Sequence, residues 1–328
     1  SRVKGVRKKL SAELGFLVQP IRIRDNLDLD PEIYHIVING VVRGTGNVKV
    51  GKELAINPGH ANSQLEGTPT KEPAFGLDAV WIEPGQKDYA RTLGYTVVDA
   101  ATAIATHLNT LLRNSASELI SHDETQQLLD KVAERSPKLV EDLVPEKLSL
   151  ATITKVLQNI LDESVSVRDM RTILEVLSTE SSRTQDVEEL TAAVRPKLGR
   201  MIVQGLVDVD DNLPVMTLNP ALEQMLNNIL QQSGSSQGLV IEPKLAESLI
   251  SALAKNTREI EDQGSAAVLV VSPTLRPWLS KFIRHRLSDL TVLSFCDIPD
   301  DQAVDVGATI DVDPSNEQSL KRYRYGIT

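Results

Sequence analysis

The chain has a single cysteine, Cys296, among its 328 residues. One thiol excludes an internal disulfide and any cysteine-rich metal site, and is compatible with a reducing compartment. Long apolar runs are missing too. The longest strongly apolar block, residues 266–271, falls far short of the ~20 residues that span a bilayer, and no signal peptide is visible, so the chain as it stands reads as soluble. Positive charge is in deficit: the net charge of -10 argues against nucleic acid as the main partner, because neutralising phosphates needs a basic face.

Signatures of catalysis are equally scarce. The histidines His35, His60, His107, His122 and His285 are scattered, with no HExxH, P-loop or GxSxG pattern around them. Gly44-Thr45-Gly46 lacks the third glycine and following helix of a dinucleotide site. The acidic group Asp25, Asp28, Asp30 and Glu32 lacks the turn glycine and distal glutamate of a calcium loop, and a helix cap at Asp30-Pro31 is expected instead. No catalytic residue, cofactor or metal ligand is therefore assigned. The rival reading, a hydrolytic enzyme with an unrecognised site, has His60 as its best candidate.

What is present is a globular composition, 41% hydrophobic and 24% charged, on a chain long enough for two to four domains. Residues 2–14 read as a helix ended by Gly15 and residues 16–24 as a strand. Residues 34–43 read as a hairpin turning at Asn39-Gly40. A strand at 77–82, a helix at 85–93 and a strand at 95–98 follow, and then a long helix capped by Asp99, on which His107 is read as packed rather than ligating. Residues 121–199 are helical throughout, with a Ser121/Glu124 capping box and a kink or restart at Pro196. The remainder alternates strands at 215–218, 267–271, 292–295 and 306–310 with helices at 220–231, 243–260 and 274–286, implying a sheet with crossover helices. A flexible spacer is expected at 231–238. The tail from Asp311 onward shows no periodicity and is either a genuine extension or a foreign addition.

The stretch most suggestive of function is NPGHANSQLEGTPTKEPAFGLDAVWI, residues 57–82. Five Pro and Gly residues between 57 and 73 predict a long irregular loop that ends on Pro73-Ala74-Phe75-Gly76 before a buried strand. Phe75, one of four phenylalanines, is either an exposed anchor for a partner or a core residue closing its own domain. Thr106 falls off the apolar stripe of its helix and is free to face a groove. The basic opening Arg2, Lys4, Arg7, Lys8 and Lys9 is either juxtamembrane or a solvated helix face. Ser1 in place of methionine suggests a piece of a longer protein.

Six segments together resemble the FlhA (FHIPEP) family of flagellar type III export gates, in its cytoplasmic domain. They are Ile23-Arg24-Asp25-Asn26-Leu27, Ala55-Ile56-Asn57-Pro58-Gly59, Pro73-Ala74-Phe75-Gly76-Leu77-Asp78-Ala79, Ala105-Thr106-His107-Leu108, Lys155-Val156-Leu157-Gln158-Asn159, and Arg168-Asp169-Met170-Arg171-Thr172-Ile173-Leu174-Glu175. Virulence injectisome gates are more distant relatives.

The resemblance implies an α+β multidomain fold of two α/β subdomains, one inserted in the other, a helical subdomain and a C-terminal α/β subdomain. The expected bounds are 1–50 with 100–119, the insert 51–99, then 120–199 and 200–311, leaving the tail 312–328. It also implies the cytoplasmic part of an integral inner-membrane protein that forms a nonameric ring and docks export chaperones loaded with filament-type substrates, and export ATPase components. Its chaperone-binding residues fall on Glu72, Phe75 and Thr106. Glu72 departs from the family's aspartate by one methylene.

Overall fold

The computed structural model describes residues 2–59, 61, 63–232 and 241–312, and the backbone alone of Ser233. His60, most of the expected spacer and the tail beyond 312 lie outside the described residues. The chain divides into two compact units, Ser1–Arg171 and Thr172–Thr328.

The first unit opens with α1 (Arg2–Leu14), which buries Leu10 and Leu14. Gly15 ends it at φ +93°, where a Cβ would stand 2.2 Å from the Arg168 backbone nitrogen. Only glycine meets both demands. The strand expected at 16–24 does not form. Instead Arg7 donates to the Val18 carbonyl (2.6 Å) and Ser11 Oγ accepts from the Val18 N–H (3.0 Å), which ties the backbone to α1 rather than to a neighbouring strand. Beyond the tie, Ile23 is largely exposed and Leu27 almost fully so. Asp30 makes an Asx turn, accepting from the Glu32 N–H (3.0 Å), in place of the expected helix cap.

The hairpin follows as read. β1 (Ile33–Ile38) and β2 (Val41–Asn47) pair antiparallel. Asn39 and Gly40, both at positive φ (50° and 82°), supply the turn whose twist matches the strands.

A four-stranded antiparallel sheet comes next, in the order β4-β5-β3-β6, from β3 (Glu53–Ile56), β4 (Thr68–Lys71), β5 (Asp78–Ile82) and β6 (Thr96–Asp99). β4 corrects the expectation of an unbroken loop at 57–73. Its Pro69 is tolerated because β4 is an edge strand, with a ladder on one side only.

Strand alternation divides the sheet's side chains between two cores. Ala55, Val80, Ile82 and Val97 face α2 (Lys87–Thr92) and Leu65, whereas Leu54, Ala79, Trp81 and Val98 face α3 (Ala100–Asn114). Asp99 caps α3, accepting from the Thr102 N–H at 2.7 Å. Three helices continue the unit, α4 (His122–Ala133), α5 (Pro137–Leu143) and α6 (Leu150–Asp162). The Ser121/Glu124 capping box starts α4 as read.

The unit boundary falls inside α7 (Met170–Glu180). α8 (Val187–Val194) is followed by a single 3-10 turn at Arg195–Leu198 and then α9 (Gly199–Gln204), so Pro196 restarts the helix. The second unit's sheet is wholly parallel, in the order β10-β7-β8-β9, from β7 (Leu213–Leu218), β8 (Val268–Val271), β9 (Thr291–Ser294) and β10 (Val304–Ile310). Its helices are α10 (Pro220–Ser233), α11 (Pro243–Glu261) and α12 (Arg276–Ile283). α10 runs to Ser233, so the first three residues assigned to the spacer are helical. The mixed helix-and-sheet class read from the sequence holds. Among the described residues no helix is long and apolar enough to cross a membrane.

Candidate functional site

Phe75 stands on the turn that joins edge strand β4 to β5. The last ladder pair is Lys71 with Asp78, and their side chains form an ion pair of 2.7 Å at the base of the turn. Inside it the Glu72 N–H donates to the Leu77 carbonyl (2.8 Å) and the Gly76 N–H to the Glu72 carbonyl (2.9 Å). Gly76 closes the turn at φ +72°, a conformation that favours glycine.

Glu72 does most of the holding. One carboxylate oxygen accepts from the Ala74 N–H (2.9 Å) and the other from the Phe75 N–H (2.7 Å), and the side chain is 2% exposed. Charge-assisted bonds to backbone donors are among the stronger hydrogen bonds. They fix a turn from which the Phe75 ring projects 67% exposed, with Leu77 beside it at 41%. Of the two sequence readings of Phe75, the core residue is therefore excluded. Glu72 is not a residue offered to solvent, as a lining role would require. It is the buried clamp beneath Phe75.

Thr106 is half-buried on α3, one residue before His107. Among the described residues no hydrogen bond joins it to Glu72 or Phe75. Its neighbour His107 is buried, with its Nδ1 2.7 Å from the Tyr34 hydroxyl of β1 and the two rings meeting edge-on at 5.7 Å. The hairpin comes this close because Gly44 and Gly46 carry no side chain. A Cβ on Gly44 would lie 2.8 Å from His107 Nε2, and one on Gly46 2.4 Å from the Tyr34 hydroxyl. The glycine pair that fails as a nucleotide motif thus has a packing role.

Glu72 acts on both rings. Burial, with the Glu72 charge adding to it, pushes the Tyr34 phenol up to about 12. Burial pushes the His107 imidazole down, while the Glu72 charge opposes it. Tyr34 was not singled out in the sequence. Its only local signal is the glycine facing it across the ladder, Tyr34 with Gly46. Among the described residues no cluster of His, Cys, Asp or Glu is arranged to hold a metal, and Cys296 is an exposed thiol.

The chain is 46% identical over 309 residues to the flagellar biosynthesis protein FlhA of Escherichia coli K12, covering 94% of this chain but 44% of that protein. It thus spans less than half the length of that relative. Among solved structures, the Chlamydia pneumoniae CdsV in complex with CdsO superposes with a TM-score of 0.81 at 22% identity, covering 95% of this chain and 90% of that one. The nonameric EPEC SctV-C superposes at 0.74 with 23% identity, covering 94% and 93%. At such identities these two establish the fold. The family model for the FHIPEP family matches residues 1–303 of the chain, which therefore belongs to that family.

Proposed function

We propose that the chain is the cytoplasmic docking platform of a flagellar type III export gate, acting through contact rather than catalysis. The observation that carries this reading is the Phe75 turn. A phenylalanine 67% exposed is held on a turn whose backbone donors are tied by a buried carboxylate. Keeping a large aromatic in water is unfavourable, and rigid exposed aromatics are the usual anchors of interfaces.

In this proposal Phe75 and Leu77 enter an apolar pocket on an export chaperone carrying its filament-type substrate. Glu72 positions the turn, and Thr106 supplies a polar contact from α3. The same proposal includes export ATPase components as further partners and a nonameric ring of copies of this chain. Attachment at the cytoplasmic face of the inner membrane would come from the part of the longer relatives that this chain does not cover. The nonameric assembly of SctV-C and the CdsV complex with CdsO support the ring and the presence of protein partners. The division into a first subdomain with an insert at 51–99, a helical third and a C-terminal fourth belongs to this proposal. The antiparallel sheet of β3 to β6 lying between β2 and α3 in the chain supports the insert.

Titration calorimetry of a flagellar chaperone and filament-substrate complex tests the reading. Phe75→Ala is expected to weaken binding at least tenfold, which is about 1.4 kcal/mol, with an unchanged circular dichroism spectrum because the ring is exposed. Equal affinity for wild type and variant would move docking elsewhere and leave a structural ring subunit as the better reading.

A further inference from the structure

The outer edge of β10 has no partner strand among the described residues. The strand pairs with β7 on its inner side and ends the sheet there. Such an edge offers a row of backbone donors and acceptors to any chain that can lie along it. Its first half is uncovered: Val304, Asp305, Val306 and Gly307 are all exposed. The charge at that end has one sign. Asp300 and Asp301 lead into β10 and Asp305 lies on it, while Asp208, Asp210 and Asp211 lead into β7 beside it. The two approaches are joined, since Gln302 Nε2 donates to the Asp211 carbonyl (2.9 Å) and the Leu213 N–H to the Ala303 carbonyl (2.8 Å). Among the described residues only Asp301 of these six is balanced, by Arg200 in a two-point ion pair of 3.0 Å.

We propose that the occupant of this edge is the chain's own segment 317–325, docked antiparallel along β10. The segment falls outside the described residues and is identified by its sequence and its tether. β10 ends at Ile310, and Val312, two residues on, is buried in the core of the second unit. Asp313-Pro314-Ser315-Asn316 follows at once. Asp at the first place and Pro at the second are the residue choice of a type I turn, on which four-residue hairpin loops are most often built. A chain reversed there returns to the edge it has just left, with a loop too short to cost much closure entropy.

Counting back one for one from that loop sets Tyr323 opposite Val306, Arg324 opposite Asp305 and Tyr325 opposite Val304. Aromatic against β-branched and cation against anion are among the cross-strand pairs that stabilise a sheet. Gly307, where the register on β7 shifts, faces Arg322 in this count. The tail as a whole has no periodicity, yet Arg322-Tyr323-Arg324-Tyr325 alternates. One face of the added strand therefore serves the two exposed valines and the other meets Asp305. The basic run Lys321, Arg322 and Arg324 comes to the end of the sheet where five carboxylates lack a cation. β10 covers about 20 Å at ~3.3 Å per residue, and residues 319–325 are as many as its own seven.

Disulfide trapping in the full chain tests the contact. In a Cys296→Ser background, Val306→Cys with Tyr323→Cys is expected to close within one chain under mild oxidation about tenfold faster than Val306→Cys with Ile327→Cys, a pair of similar separation in sequence but out of register. Equal rates for the two pairs would mean that the tail does not lie on the edge, and closure only between chains would give the edge to a second copy; either overturns the proposal. Hydrogen exchange provides a readout without cysteines. The β10 amides that point away from β7 should exchange about tenfold faster in Tyr323→Pro than in wild type, because proline cannot continue the ladder. Arg324→Glu should speed the same amides, and adding Asp305→Arg should slow them again by restoring the pair with its charges exchanged. Amides that exchange alike in wild type and Tyr323→Pro, or a double variant no slower than Arg324→Glu alone, overturn the proposal.

Discussion

Trp81→Ala is expected to lower the unfolding free energy of the first unit by about 3–5 kcal/mol, the cost of emptying a large buried site. Trp81 is 2% exposed and lies on the face of β5 that packs with Leu54, Ala79 and Ala103, with Val48, Ile56, Val98 and Ala100 at the margin. Six of these seven neighbours are small or β-branched residues that have made room for the indole and cannot expand to refill it. Trp81→Phe should cost far less. It keeps a ring in the site and removes an indole N–H that has no hydrogen-bond partner, a group that is unfavourable to bury.

Urea titration followed by far-ultraviolet circular dichroism measures both variants. The chain's only other tryptophan, Trp278, lies in the second unit. Its fluorescence therefore shows whether the loss stays within the first. The same substitution should impair docking, because this layer joins the sheet that carries the Phe75 turn to the helix that carries Thr106. A loss below about 1 kcal/mol would mean that the sheet and α3 are not held by this core.

Much of the architecture was readable because its signals are local. Asn39-Gly40 specifies its turn through two positive φ values, Asp99 and Ser121 cap the helices that follow them, and Pro196 breaks a helix it cannot continue. The alternation of apolar strands and helices in the second unit implies a sheet with crossover helices, and β7, β8 and β9 of that sheet are mostly buried. The failures share one physical cause, which is that a strand needs a partner. Ile21 and Ile23 alternate with arginines as a strand would, yet Val18 is tied to α1 and among the described residues no strand pairs with the segment that follows. The β4 sequence Thr-Pro-Thr-Lys looks like loop, yet β5 offers it a ladder.

The site divides in the same way. Phe75 was marked by the Pro and Gly around it, and Thr106 by its place off the stripe of α3. The task of Glu72 was hidden, because an acidic residue beside a lysine and a proline reads as surface charge until the turn folds its two N–H groups onto the carboxylate. The pairing of Tyr34 with His107 spans 73 positions, and no periodicity reports a contact at that range. The glycines at 44 and 46 recorded it indirectly, as the two places where a side chain would collide with those rings.

Arg195→Ala is expected to destabilise the second unit by about 3–5 kcal/mol, as removing one member of a buried ion pair strands the other. Arg195 and Asp297 are 2% and 1% exposed, with the Arg195 Nε 3.8 Å from Asp297 Oδ2. The same Oδ2 accepts from the Ser294 N–H at 2.8 Å, so the carboxylate also shapes the single 3-10 turn, Phe295–Asp297, that follows β9. Gly199 fixes how closely the two turns approach, since a Cβ there would lie 2.2 Å from the Asp297 carbonyl oxygen. With backbone against backbone at that point, the site has little room to collapse around a missing guanidinium or to admit water to the carboxylate.

Asp297→Asn also leaves a buried charge, that of the Arg195 guanidinium, but should cost less than Arg195→Ala because an amide oxygen can still accept from Ser294 and no side-chain volume is lost. The double variant should be more stable than the sum of the two single losses predicts, the mark of direct coupling. Trp278 fluorescence in a Trp81→Phe background reads the second unit alone. Strict additivity would show that Asp297 is balanced by something other than Arg195. Coupling would instead establish the pair as the fixed corner from which Phe295, 61% exposed, projects into solvent, and would separate the stability of that corner from any contact Phe295 makes outside the chain.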